Sequence, residues 1–231
     1  MAPKETVMTV DEFIELAESR AQTYIFLASL YYYDSLPMIA KLIKKKKLLE
    51  AVPSSGEGFK ILKFFVEEEA PKSNDLLEDL QIEHTGLFVM AKTTKGRPYE
   101  SFYLDKDRKI GARVTIDVDK LYNSMGISFT DAKDEIADYI AIELEFMHHM
   151  CSREAEAWRE GDWESARALL NIEKEFITEH LGKWVKQFGE DVLEDAKLGF
   201  FKAAVHFLTE FMEIEKHDIV NLSSAAEKVR V

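Results

Sequence analysis

DEIADYIAIELEFMHHM, Asp134 to Met150, is the stretch whose reading decides the fold. Taken as the opening of a helix that runs to about Trp158, it sets Glu145 and His148 three positions apart on one face. His149 and the single cysteine, Cys151, follow directly. That grouping belongs either to a metal site or to the wall of a groove, and the rest of the chain decides between them.

Outward from it the pattern is helical in both directions. In TVDEFIELAESRAQTYIFLASLYY, Phe13, Leu16, Ala17, Ala21, Tyr24, Leu27, Ala28 and Tyr31 recur at spacings of three and four, and Thr9 with Glu12 has the capping-box spacing. A second helix is expected from Ser35 and Pro37 into KLIKKKKLLE, with the lysine run Lys44 to Lys47 as a solvated face, before the turn PSSGEG. A third runs from about Phe59 to Glu69 and stops at Ala70-Pro71, and a fourth from about Asp75 to Met90. From Ala91 to Arg113 the helical signal fails, and a long ordered loop or strand-like passage is expected. Thr115 is then read as the cap of a helix through Tyr122 that ends at Gly126. Beyond Trp158 a helix starts at Gly161 and Asp162 and closes at Gly182, and a last one covers roughly Val192 to Lys216. The expectation is an all-α helical bundle of about nine helices. It divides near residue 130 into an amino-terminal subdomain, 1–130, that includes the 91–113 loop, and a carboxyl-terminal one, 131–231, that begins at a hinge.

The composition agrees with that class. Of 231 residues 46% are hydrophobic and 32% charged, with ten Gly and five Pro, which fits a soluble helix-rich domain and not a disordered chain. The formal charge of -13 disfavours nucleic acid and anionic lipid as unspecific partners and favours a cationic one. From Glu135 onward there are 21 acidic residues against 11 basic, so the carboxyl-terminal part carries most of the field. One cysteine excludes an internal disulfide and any Cys-x-x-Cys framework. MAPKETVMTVDEF lacks the apolar core of a secretory leader, and no apolar run approaches the ~20 residues that span a bilayer. A cytoplasmic location without membrane insertion is expected.

Catalytic and metal chemistry find little to work with. Di-iron bundles need Glu-x-x-His twice, and none of the histidines at 84, 149, 180, 206 or 217 has glutamate three positions before it. Glu145, His148 and Cys151 mix hard and soft donors on one helix, so they cannot surround an ion. A helical-bundle metalloprotein using Glu145 and His148 therefore stands as the alternative, beside a generic adaptor for a folded partner. Cys151 has no oriented base, and the Gly-x-Gly of SSGEG follows no strand and precedes no Lys-Ser/Thr. Neither an enzyme nor a cofactor is expected.

Four blocks in order carry a resemblance: IEHTGLFVM with RPYESFYLD, then Gly111 and Thr115, then DEIADYIAIELEFM, and finally EFITEHLGKWVKQF with GFFKAAVHFLTEF. Together they resemble the TorD/DmsD/NarJ family of redox-enzyme maturation chaperones. The resemblance implies an all-helical, TorD-like protein of two hinged subdomains. It also implies binding of the twin-arginine signal peptide of a molybdopterin-containing oxidoreductase subunit and assistance with cofactor insertion before export. The partners so implied are that peptide and the folded or apo catalytic subunit, met by a monomer or homodimer. The family's hinge falls on Glu135, Ile136, Ala137, Asp138 and Tyr139, its aromatic loop on Pro98, Tyr99, Glu100, Ser101 and Phe102, its glycine on Gly111, and its Leu-Phe pair on Leu87 and Phe88. This chain has Ile136 and Ala137 where the family has proline, and Tyr139 where it has histidine.

The residues support such a site on physical grounds. Two guanidinium groups followed by an apolar segment call for carboxylates beside an apolar groove, and Asp138, Glu100 and Asp105 are candidates for the first. Phe88, Tyr99, Phe102, Tyr103 and Tyr139 are candidates for the second. Glu143 and Glu145 are expected to be solvated or to stabilise the hinge.

Overall fold

The computed structural model describes residues 8–90, 95–111, 113–129 and 136–229. Among them the fold is all-α, with one isolated β-bridge. In chain order the helices are α1 (Val10–Ser29), α2 (Leu36–Lys44), α3 (Gly56–Phe64), α4 (Leu76–His84), α5 (Glu100–Leu104), α6 (Arg113–Ser124), α7 (Ile140–Glu160), α8 (Trp163–Phe176), α9 (Gly182–Asp195) and α10 (Gly199–Ala226). Wide π-helical turns extend α3 over Phe65–Glu69 and α4 over Thr85–Val89, and join α8 to α9 over Ile177–Leu181.

Local signals hold at most helix starts. Thr9 and Glu12 exchange side-chain and backbone hydrogen bonds in a complete capping box, and Asp75 and Asp162 accept from amides of the first turns of α4 and α8. Gly161 ends α7 in the left-handed conformation, φ +75, that a glycine adopts without cost. Five expectations need correction. α7 begins at Ile140 and not near Asp134, because Tyr139 is extended. α6 begins at Arg113, so Thr115 lies in its first turn and is not its cap. The 91–113 passage contains a short helix, α5. Gly182 opens α9 instead of closing a helix, and the helix read over 192–216 is broken at Ala196 to Leu198. The break holds no proline, although Gly199, the first residue of α10, directly follows it. It is stabilised from elsewhere in the chain, where Glu83 accepts from the amides of Lys197 and Leu198 and Glu69 from that of Gly199.

α1 lies along α7, with Phe13 stacked on Trp158 at 4.7 Å and the small residues Ala17, Ala21 and Ala28 buried between larger ones. α10 crosses α3 closely because Gly58 leaves room: a methyl group there would stand 2.9 Å from the Phe207 ring. One continuous apolar core runs from Phe13 to Val229 on both sides of residues 130–135, where the expected subdomain boundary lies outside the described residues.

Inside that core sits Arg20. Its Nε donates to both oxygens of Glu215 (3.1 and 3.0 Å) and its Nη1 to Glu154 (3.3 Å), while Nη2 stands 2.7 Å from Glu173 with its N–H bonds off line. One guanidinium thus ties α1 to α7, α8 and α10. Tyr24 donates to Glu215 and Trp158 to Glu154, both at 2.8 Å. Three carboxyls share a single positive charge, so they do not all ionise. Burial pushes Glu154 up to about 8 and also raises Glu173, with Arg20 opposing both shifts. Replacing Arg20 by alanine leaves buried carboxylates without a counter-charge and is expected to cost about 3 to 5 kcal/mol. Urea denaturation of the variant measures it, and a loss under about 1 kcal/mol, the scale of a surface pair, contradicts the account.

Candidate functional site

The 95–111 passage is fastened to the start of α7 by two backbone hydrogen bonds of strand type. The amide of Glu100 donates to the carbonyl of Asp138 (3.0 Å) and that of Ile140 to the carbonyl of Pro98 (2.9 Å), which pairs Tyr99 with Tyr139 in an antiparallel bridge. Asp138 completes the fastening with its side chain. Its Oδ2 accepts from the amide of Ser101 at 2.8 Å and its Oδ1 from the hydroxyl of Thr115 at 2.7 Å. A single carboxylate therefore caps α5 and holds α6 beside it, and no part of it is exposed. Gly111, at φ +79, turns the chain between the two helices, and its amide donates to the Ser101 hydroxyl (3.3 Å).

Below this layer lie two more buried carboxyls. Glu100 meets Nδ1 of His180 through both oxygens, at 2.9 and 3.0 Å, and the imidazole stacks on Phe176. Glu143 accepts from the indole N–H of Trp184 (3.2 Å) and lies within hydrogen-bonding reach of Glu100. Burial first, then the charges of Glu100 and Asp138, hold the Glu143 carboxyl well above the ordinary glutamate value. A carboxyl so placed is the neutral one of the pair. Its Oε1 has no hydrogen-bond partner among the described residues.

The aromatic residues close the junction. The Tyr139 hydroxyl donates to the carbonyl of Tyr31 (2.6 Å), and Nε2 of His84 sits 2.8 Å from the same oxygen. Burial lowers the His84 pKa, so that imidazole is neutral and donates from Nε2. Tyr103 stacks on Trp184 at 5.4 Å, and Phe88 packs edge-on to Tyr31 and Phe201. Phe102 is half-buried, with the guanidinium groups of Arg97 and Arg108 5.2 and 5.3 Å from its ring centre.

The sequence-predicted residues thus come together in part. Tyr99, Glu100, Gly111, Asp138, Tyr139 and Glu143 form one continuous knot, with Ile136 and Ala137 half-buried at its edge. Asp138 and Glu100, expected to face an arginine-rich ligand, are turned inward and engaged by the chain itself. Glu143 is not solvated but buried. Leu87 and Phe88 belong to the core, and Asp105 lies at the margin, where it accepts from the amide of Asp107 (2.8 Å). Glu135 lies outside the described residues. Glu145 and His148 do not act as a pair. Glu145 accepts from the Tyr32 hydroxyl (2.7 Å) and His148 Nδ1 faces the Ala21 carbonyl (2.9 Å), and no group of three metal-ligating side chains gathers among the described residues. Thr115, His180 and Trp184 are the members that spacing did not single out. All three lie in the blocks that carried the family resemblance.

Comparison with known proteins agrees with those blocks. The family model described as nitrate reductase delta subunit matches residues 53–190. The chain belongs to that family, in which TorD and NarJ stand. It is 28% identical over 224 residues to the chaperone protein TorD of Aliivibrio salmonicida, covering 89% of this chain and 97% of that one. To the TorD of Photobacterium profundum it is 25% identical, with 89% and 96% covered. A solved structure from Archaeoglobus fulgidus, assigned to redox enzyme maturation, superposes with a TM-score of 0.51 at 20% identity, over 84% of this chain and 93% of that one, and so shares the fold.

A neutral Glu143 makes a specific prediction. Its folded pKa is raised above the ordinary 4.5, so its share of stability is full below pH 4.5 and is lost as pH rises through the folded value. Glu143→Gln keeps an acceptor for Trp184 and a donor for Glu100. The variant is expected to match the parent in melting temperature near pH 5 and to exceed it increasingly above pH 7. Thermal melts across that range decide, and a variant that lags the parent at alkaline pH rules the neutral carboxyl out.

Proposed function

We propose that this member of the nitrate reductase delta subunit family is a cytoplasmic, non-enzymatic chaperone. It binds the twin-arginine signal peptide of a molybdopterin-containing oxidoreductase subunit and protects that subunit while cofactor is inserted. The observation that carries the reading is the family match over residues 53–190 together with near-complete coverage of relatives that are named chaperones.

The peptide site is the Asp138 knot in an opened state. In the closed state the chain's own segment 98–101 lies against residues 138–140 in extended form, and the Ser101 amide and Thr115 hydroxyl occupy the two oxygens that a guanidinium would take. An extended peptide replaces that segment with like hydrogen bonds, and an arginine satisfies Asp138 through two parallel N–H donors. Swinging Tyr99, Phe102 and Tyr103 aside uncovers the rings beneath for the apolar part of the signal. Because the closed state must first be undone, the observed affinity is lower than the intrinsic one by the fraction of molecules open. A chaperone that releases its client gains from this, and a Kd of about 1 μM is adequate.

Calorimetric titration with a twin-arginine signal peptide tests the reading. Wild-type protein is expected to bind, and a twin-lysine peptide to bind about tenfold more weakly, for want of the paired geometry. Asp138→Asn keeps an acceptor for the Ser101 amide, turns the other oxygen into an amide donor that the Thr115 hydroxyl can accept, and removes the charge; it is expected to weaken binding tenfold or more. Thr115→Val loosens the closed state without touching the ligand and is expected to tighten it. A Thr115→Val protein that binds no better removes the opening step. A wild-type protein indifferent to every twin-arginine peptide removes the function.

A further inference from the structure

The end of α2 carries a concentration of positive charge that nothing so far explains. Lys41, Lys44, Lys45, Lys46 and Lys47 are all exposed, and among the described residues none stands within ion-pair distance of a carboxylate. Part of the cluster has an ordinary cause, since the negative end of a helix favours cations in its last turn, where Lys41 and Lys44 sit. That cause does not extend to Lys46 and Lys47, which lie past the helix. Lys46 is in the left-handed conformation, φ +56 and ψ 12, with its amide donating to the Ile43 carbonyl at 2.8 Å. Glycine or asparagine is usual at such a position, because the Cβ of any other residue is crowded there. A lysine there costs stability, and among the described residues its exposed side chain makes no hydrogen bond or ion pair that offsets the strain.

Beside the charge lies apolar surface. Met38 is 60% exposed, and Leu42 is half-buried. Met38, Lys41, Leu42 and Lys45 follow at the three-and-four spacing of one helix face, opposite the buried Leu36, Ile39, Ala40 and Ile43. We propose that this face docks on an anionic lipid surface, with the lysine ammonium groups among headgroup phosphates and Met38 entering the interface. A nucleic acid offers matching charge but no layer for a thioether, whereas a membrane interface offers both. The overall charge of -13 disfavours anionic lipid over the surface at large, and the lysine patch is the local exception. At physiological ionic strength fields decay over about 8 Å, so a partner at the patch responds to the local lysines. Contact is peripheral and reversible, because the apolar face of α2 is committed to the core and no helix among the described residues is long and apolar enough to cross a membrane.

Co-sedimentation of the full chain with vesicles tests the docking independently of any signal peptide. At about 0.1 M salt, binding is expected to phosphatidylglycerol/phosphatidylcholine vesicles and not to phosphatidylcholine alone, with release at about 1 M salt. Changing Lys44, Lys45 and Lys47 together to Gln is expected to lower the partition coefficient about a hundredfold, roughly fivefold for each lysine. Lys46→Gly gives a readout that a purely structural lysine does not: relief of backbone strain raises Tm by about 2 °C while vesicle binding falls about fivefold. Failure to bind anionic vesicles, equal binding to neutral ones, or full binding by either variant overturns the proposal. Capture by polyglutamate or duplex DNA in place of vesicles also overturns it, and assigns the lysines to another polyanion.

Discussion

One carboxylate that never meets water organises the region that matters here. Asp138 receives a backbone amide from α5 and a hydroxyl from α6, while its own carbonyl accepts the amide of Glu100. It acts together with the Ile140–Pro98 hydrogen bond, the Glu100–His180 contact and the stacking of Tyr103 on Trp184, since α5 is five residues long and cannot sustain itself as a helix. A charge-assisted hydrogen bond in a low-dielectric surrounding is among the stronger contacts available to a chain, and expensive to leave half-made. The same property makes the residue suitable for recognition. Whatever displaces Ser101 and Thr115 must supply equivalent donors, and a guanidinium does so in one rigid group.

The second layer, Glu100, Glu143, His180 and Trp184, extends that logic. Two acids placed together in the interior cannot both ionise, so one keeps its proton and becomes a donor to the other. The Arg20 cluster applies the same rule at a second place, with three carboxyls around one cation. Both clusters join helices far apart in sequence. Buried charge clusters of this kind are costly when one member is removed, because the groups left behind stay in the interior without a partner.

How much of this was legible beforehand follows from the range of the forces involved. Thr9 with Glu12, and Gly161 after Trp158, are local signals, so α1 and the end of α7 were readable to within a residue or two. The break at Ala196 to Leu198 was not, because glutamates more than a hundred positions upstream stabilise it. The site divides in the same way. The ordered blocks that carry the family resemblance pointed to Tyr99, Glu100, Asp138 and Tyr139, which do meet. Periodicity could not say that Asp138 faces inward, since a carboxylate is expected at the surface unless a donor waits inside. His180 and Trp184 escaped because their partners sit 80 and 41 positions away.

The wide turn over Thr85–Val89 has a geometric consequence of its own. An ordinary α-helix advances about 100° per residue, so two successive side chains do not point the same way. Where the coil opens to a π turn the angular step shrinks, and Leu87 and Phe88 both enter the core, leaving Ile82 and Val89 outside. The turn thus behaves as a phase shifter in the helix. One extra residue is absorbed there, so deleting one within the turn restores the regular pitch and leaves the flanks in phase, whereas a deletion in an ordinary turn of the same helix rotates everything beyond it by a full angular step.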